Sequence, residues 1–173
     1  IGTTEFVMMG ILPDIALSLG ISIPQAGHLI SAYALGVVVG APSLVMLANK
    51  FAPKKILMAL MLMFTVFNGL CVFAPSYESL FLFRFLSGLP HGAFFGVGAV
   101  VAARLADKGK EARAVSMMFL GLAVANLLGV PLGTYLGHTL SWRYAFVLVA
   151  IAGLLTWLFL RVWMPVLEKD NAH

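Results

Sequence analysis

LFLFRFLSGLPHGAFFGVGAVVAAR, residues 80–104, is long enough to cross a bilayer and almost wholly apolar. It nevertheless carries Arg84, His91 and a row of glycines four apart, Gly88, Gly92 and Gly96. A charge inside lipid is costly unless it faces protein or water, so an arginine here implies neighbours that shelter it. The rest of the chain reads as the source of those neighbours. Of its 173 residues 61% are hydrophobic and 10% charged, with a mean hydropathy of +1.00. A soluble domain carries about 25% charged residues, so the composition is that of an integral membrane protein.

The net charge of +4 does not point to nucleic acid, because the basic residues gather in two short loops and near the chain end. That distribution is a topology signal. Cys71 is the single cysteine, lies in an apolar run and reads as a small packing residue. The chain opens at Ile1 with a short apolar run and no basic region ahead of it, so a truncated first helix is expected and not a signal peptide.

A helix needs about 20 apolar residues to span the hydrocarbon core. On that ruler the spans are 1–19, 25–48, 56–73, 80–103, 114–136 and 144–164, joined by LGISIP, NKFAPKK, APSYES, LADKGKEAR and GHTLSWR. Such short connections make consecutive helices antiparallel neighbours. One set of loops and the chain end hold Lys50, Lys54, Lys55, Arg104, Lys108, Lys110, Arg113, Arg161 and Lys169, whereas the other side holds Arg143. This places both ends in the cytoplasm. The expected architecture is an all-α transmembrane six-helix bundle over 1–165, with 166–173 as a cytoplasmic tail or the start of a central linker.

Small residues recur every four positions: Ala32, Gly36 and Gly40 in the second span, and Gly121, Ala125, Gly129, Gly133 and Gly137 in the fifth. That spacing lets backbones approach closely. It suits a static bundle and a face that slides during transport equally well.

The wording of four segments then resembles a known family. TEFVMMGILPDIA, GHLISAYALGVVVGAP, GLPHGAFFGVGAVVAA, and NLLGVPLGTYLG followed by SWRYAF are similar to the first half of a major facilitator superfamily transporter. They match best the arabinose-efflux-permease-like branch of the drug:proton antiporters. The resemblance implies a twelve-helix fold whose second six helices are missing here, and an inner-membrane exporter of a sugar or drug-like molecule driven by protons. It implies no cofactor. Where the family's loop signature has aspartate and glycine, this chain has Asn49 and Ala52, with Lys50, Lys54 and Lys55 keeping the basic character. In the fifth span Ala125-Asn126 replaces the antiporter group's Gly-Pro, and Pro131 follows later.

No nucleophile, phosphate loop or metal-ligand spacing marks an enzyme. His28, His138 and His173 sit at span ends or in the tail and read as interfacial. The intramembrane polar set is Glu5, Arg84, His91 and Asn126, with Asn68 a further member. Arg84 and His91 are seven apart and share a face with Ser87, while the glycine row takes the adjacent face. Arg84 is either a structural anchor bonded to backbone carbonyls or a pathway residue.

At about 1.5 Å of rise per residue, Glu5 lies roughly 21 Å below the outer end of its helix and His91 roughly 20 Å below the same side. Arg84 is only about 9 Å down, nearer to Asp14, which reads as an outer-rim residue. These depths make Glu5 the expected proton-exchanging carboxylate, with His91 its nearer partner. Alone, the six helices are expected to be inactive, since half of the cavity is absent. The reading from another class is a non-transporting six-helix assembly protein.

Overall fold

The computed structural model describes residues 1–48 and 50–167 and contains helices without a strand among them. The elements are α1 (Gly2–Leu19), α2 (Ile23–Ala48), α3 (Pro53–Val72), α4 (Tyr77–Leu105), α5 (Glu111–Val124), a π-helical segment (Ala125–Gly129), α6 (Val130–Thr139) and α7 (Trp142–Trp163). The run from α5 through α6 is one continuous rod, so six rods are packed together. Five of them, all but α1, are long and apolar enough to cross a membrane on their own. The chain is therefore a multi-pass membrane protein, with the expected six spans met on composition by five.

The exception has a physical reason. Glu5 and Asp14 lie within the 18 residues of α1 and dilute its apolarity. Its shelter comes from neighbours: Val7, Met8, Ile11 and Ile15 are fully buried and share a core with Leu29, Leu80, Ala145 and Phe146. Cys71 is buried in the same core, as a packing residue.

Helix ends run past the apolar boundaries because capping chemistry sets them. α4 begins at Tyr77, not at Leu80. Ser76 Oγ accepts from the Ser79 N–H at 3.3 Å, and Ser79 Oγ accepts from the Ser76 N–H at 3.1 Å. This reciprocal box satisfies two donors that a helix start leaves orphaned. Pro53 opens α3 at a position where a missing N–H costs nothing. Gly20 ends α1 with φ 64°, a left-handed conformation that favours glycine.

The fifth span departs from a plain helix at its centre. Pro131 cannot donate to the carbonyl four residues back and its ring crowds that carbonyl. The wider π turn directly before it, Ala125–Gly129, relieves the crowding. The apolar count of a span cannot register such a turn.

α2 and α4 make the most extensive pairing in the molecule. A Cβ on Gly36 would overlap the Phe85 carbonyl oxygen, one on Gly40 the Leu89 carbonyl oxygen, and one on Gly88 the Tyr33 carbonyl oxygen. At Gly92 it would overlap Ala41 Cβ, whereas at Gly96 it would only touch Val45 at 3.8 Å. The second row faces α1, since Gly129 meets Thr3, Gly133 meets Val7 and Gly137 meets Ile11. At Gly121 a Cβ would find nothing within 4 Å among the described residues.

α3 and α7 are bolted at both ends by cations on exposed carbonyls. Lys54 Nζ donates to the Arg161 carbonyl at 3.0 Å and also to that of Met164, at the C-terminal end of α7. At the opposite end Arg143 Nε and Nη2 donate to the Val72 and Ala74 carbonyls, each at 2.9 Å. Cations are favourable at helix C-termini, where carbonyls lack partners. Lys54 is thus a structural clamp as well as a member of the basic loop. Lys50 and Lys55 are exposed, and Asn49, Lys169 and His173 lie outside the described residues.

Candidate functional site

Thr4, Glu5, Tyr33, Asn68, Arg84 and His91 form one connected cluster across α1, α2, α3 and α4. Arg84 is at its centre with 0% exposure. Its Nη1 donates to Thr4 Oγ1 at 3.0 Å, Thr4 donates onward to Asn68 Oδ1 at 2.6 Å, and Asn68 Nδ2 donates to the Phe64 carbonyl at 2.9 Å. The guanidinium lies over the Tyr33 ring, 4.4 Å from its centroid, with Phe146 5.8 Å away on its own ring axis. A desolvated cation on an aromatic face gains on the order of 2 kcal/mol. That is less than the cost of burying it, and among the described residues Arg84 Nε and Nη2 have no hydrogen-bond partner.

Tyr33 continues the cluster. Its hydroxyl is 2.7 Å from His91 Nδ1, and His91 Nε2 is 3.9 Å from Glu5 Oε2. The Glu5 side chain is 39% exposed against 14% for His91, so the carboxylate is the member of the cluster that meets the outside. His91 also leans on Phe95, which stacks on Phe119 of α5 at a centroid distance of 5.8 Å. A cavity of about 200 Å³ lies on the other side of Thr4 and is lined by Thr3, Phe64, Gly129, Gly153 and Thr156. Glu5, His91 and Arg84 do not line it.

The structure brings Glu5 and His91 together, as their depths suggest. The Arg84 side chain reaches beyond the depth, nearer that of Asp14, counted for its backbone: Nη1 bonds Thr4, the residue beside Glu5. Counting rise treats helices as upright and side chains as points, whereas an arginine spans several residues of depth. Nor does Arg84 bond backbone carbonyls through its guanidinium. Asn126 stands apart, on the π segment opposite Gly2, with Oδ1 buried and unpartnered among the described residues.

Asp14 and His138 are an unforeseen pair, His138 Nδ1 lying 2.6 Å from Asp14 Oδ2. The two groups lie within ion-pair distance but off the hydrogen-bond axis. With Thr3 donating to the Ala125 carbonyl at 3.2 Å, the pair ties α1 to the fifth span at both ends.

Sequence reasoning missed Thr4 and Tyr33. Tyr33 had a signal: it stands one turn before Gly36, on the face that packs tightest against α4. A large side chain there must insert between the helices, where it meets Arg84 and His91.

Membership of a family follows from comparison. The sequence profile of the Major Facilitator Superfamily matches residues 1–173. The chain belongs to that superfamily. It is 46% identical over 170 residues to the putative transporter AraJ of Escherichia coli K12, covering 98% of this chain and 43% of the relative. The inner membrane transport protein YdhP of the same organism is 50% identical over 165 residues, 95% of this chain and 42% of the relative. A chloramphenicol resistance protein of Streptomyces lividans is 36% identical over 150 residues, 87% and 38% respectively. The chain thus spans less than half the length of the curated relatives it matches, which fits one half of the superfamily fold.

Proposed function

We propose that this chain is the first half of a proton-coupled exporter of a sugar or drug-like small molecule, and that Glu5 is its proton-exchanging group. The observation that carries this reading is the Glu5–His91 approach of 3.9 Å beside a buried, incompletely bonded Arg84. A carboxylate between water and an apolar interior holds its proton when desolvated and releases it when a cation draws near. Rocking of two halves about a midplane site supplies that change of surroundings. The excess of lysine and arginine in the basic loops supports a cytoplasmic position for both ends of the chain, and a second six-helix half closes the substrate cavity against α2, α4 and α5. The names of the relatives support transport, and the chloramphenicol resistance protein supports a drug-like substrate; the sugar alternative rests on the resemblance in the sequence.

The test uses the full-length protein in sealed vesicles carrying an internal pH dye. Addition of chloramphenicol or of labelled pentoses should move protons in the direction opposite to substrate, and collapse of the pH gradient should stop accumulation. Accumulation indifferent to the gradient would contradict the reading.

A further inference from the structure

We propose that Tyr33 is a positioning residue for proton exchange: its hydroxyl selects the His91 tautomer that presents Nε2–H to Glu5, while its ring holds Arg84. The proposal rests on the reading of Glu5 as the proton-exchanging group.

The geometry leaves the phenol little choice. Tyr33 is 2% exposed, so its hydroxyl has no bulk water to turn to. Among the described residues its hydrogen-bond partner is His91 Nδ1, at 2.7 Å. Its own carbonyl oxygen fills the space that a Cβ on Gly88 would need, one turn before His91, so the backbone that carries the ring is fixed against α4. A phenol carries one proton, and a neutral imidazole has one donor and one acceptor nitrogen. With Tyr33 donating to Nδ1, the ring proton sits on Nε2, the nitrogen 3.9 Å from Glu5 Oε2.

The opposite tautomer would turn an Nε2 lone pair toward an ionised carboxylate, which is repulsive. It suits only a protonated Glu5, whose O–H can donate to that nitrogen. The two proton states of Glu5 therefore prefer different His91 tautomers, and Tyr33 holds the one that suits the carboxylate. Arg84 under the same ring supplies a fixed positive charge nearby, 4.4 Å from the centroid.

Tyr33→Phe removes the hydroxyl and keeps the ring that carries Arg84. In full-length protein reconstituted in vesicles, gradient-driven flux should fall about tenfold, the scale of one buried hydrogen bond, at unchanged substrate KM. The ¹⁵N signals of the His91 ring, assigned by difference with His91→Gln, should move from the Nε2–H tautomer to a mixture. His91→Gln can accept from Tyr33 and donate to Glu5, so it should keep several-fold more flux than His91→Leu. Wild-type flux in Tyr33→Phe with unmoved His91 signals would overturn the proposal, as would equal flux in the two His91 variants. Survival of gradient-driven flux in Glu5→Gln overturns instead the proton reading beneath it, so the two failures are told apart.

Discussion

A Gly40→Val variant of the full-length protein is expected to accumulate poorly and to lose most of its thermal stability in detergent. The added Cβ meets the carbonyl oxygen and Cα of Leu89, which are main-chain atoms of a helix and cannot rotate aside. Overpacking that flexible side chains can absorb costs about 1–3 kcal/mol. Here α2 and α4 must separate instead, which also opens the Gly36–Phe85 and Gly88–Tyr33 approaches. In lipid no hydrophobic drive restores the pair once its close packing is lost. Gly69→Val is the internal control, because that position, in α3, opens on nothing within 4 Å among the described residues. Equal melting temperatures for the two variants would contradict the packing account.

Arg84→Met should do the reverse, leaving the fold intact and abolishing gradient-driven transport. Methionine fills much of the same volume without charge. Replacing buried charge by apolar groups of similar size is often neutral or stabilising, by about 1–4 kcal/mol. Arg84 is a favourable case, since two of its nitrogens lack partners and Thr4 still has Asn68 to donate to. A melting temperature equal to or above wild type with no coupled flux is the expected result. A variant that unfolds readily would mean that the charge serves stability first.

Much of this architecture is legible from residue pattern alone, for reasons that differ by element. The spans of α2, α3, α4 and α7 show as apolar runs because lipid demands them. The α2–α4 glycines show because backbone approach in a membrane needs small residues at a spacing of four. α1 is less legible, since its acids are sheltered by neighbours that only the fold supplies. The π turn before Pro131 leaves no trace in an apolar count. In the site, depth brings Glu5 to His91, but Thr4 and Tyr33 look like ordinary span residues until α1, α2 and α4 are assembled. The Asp14–His138 contact is invisible for the same reason: it joins positions 14 and 138 through packing, with no local pattern to mark either.

The most direct test of the central claim is Glu5→Gln in the full-length protein, reconstituted in vesicles under an imposed pH gradient. Glutamine keeps the shape of the side chain and cannot exchange a proton. The variant should fold and bind substrate as wild type does, and it should still equilibrate substrate down its own gradient. The pH gradient should no longer drive accumulation. Accumulation that still follows the pH gradient in Glu5→Gln would contradict the account.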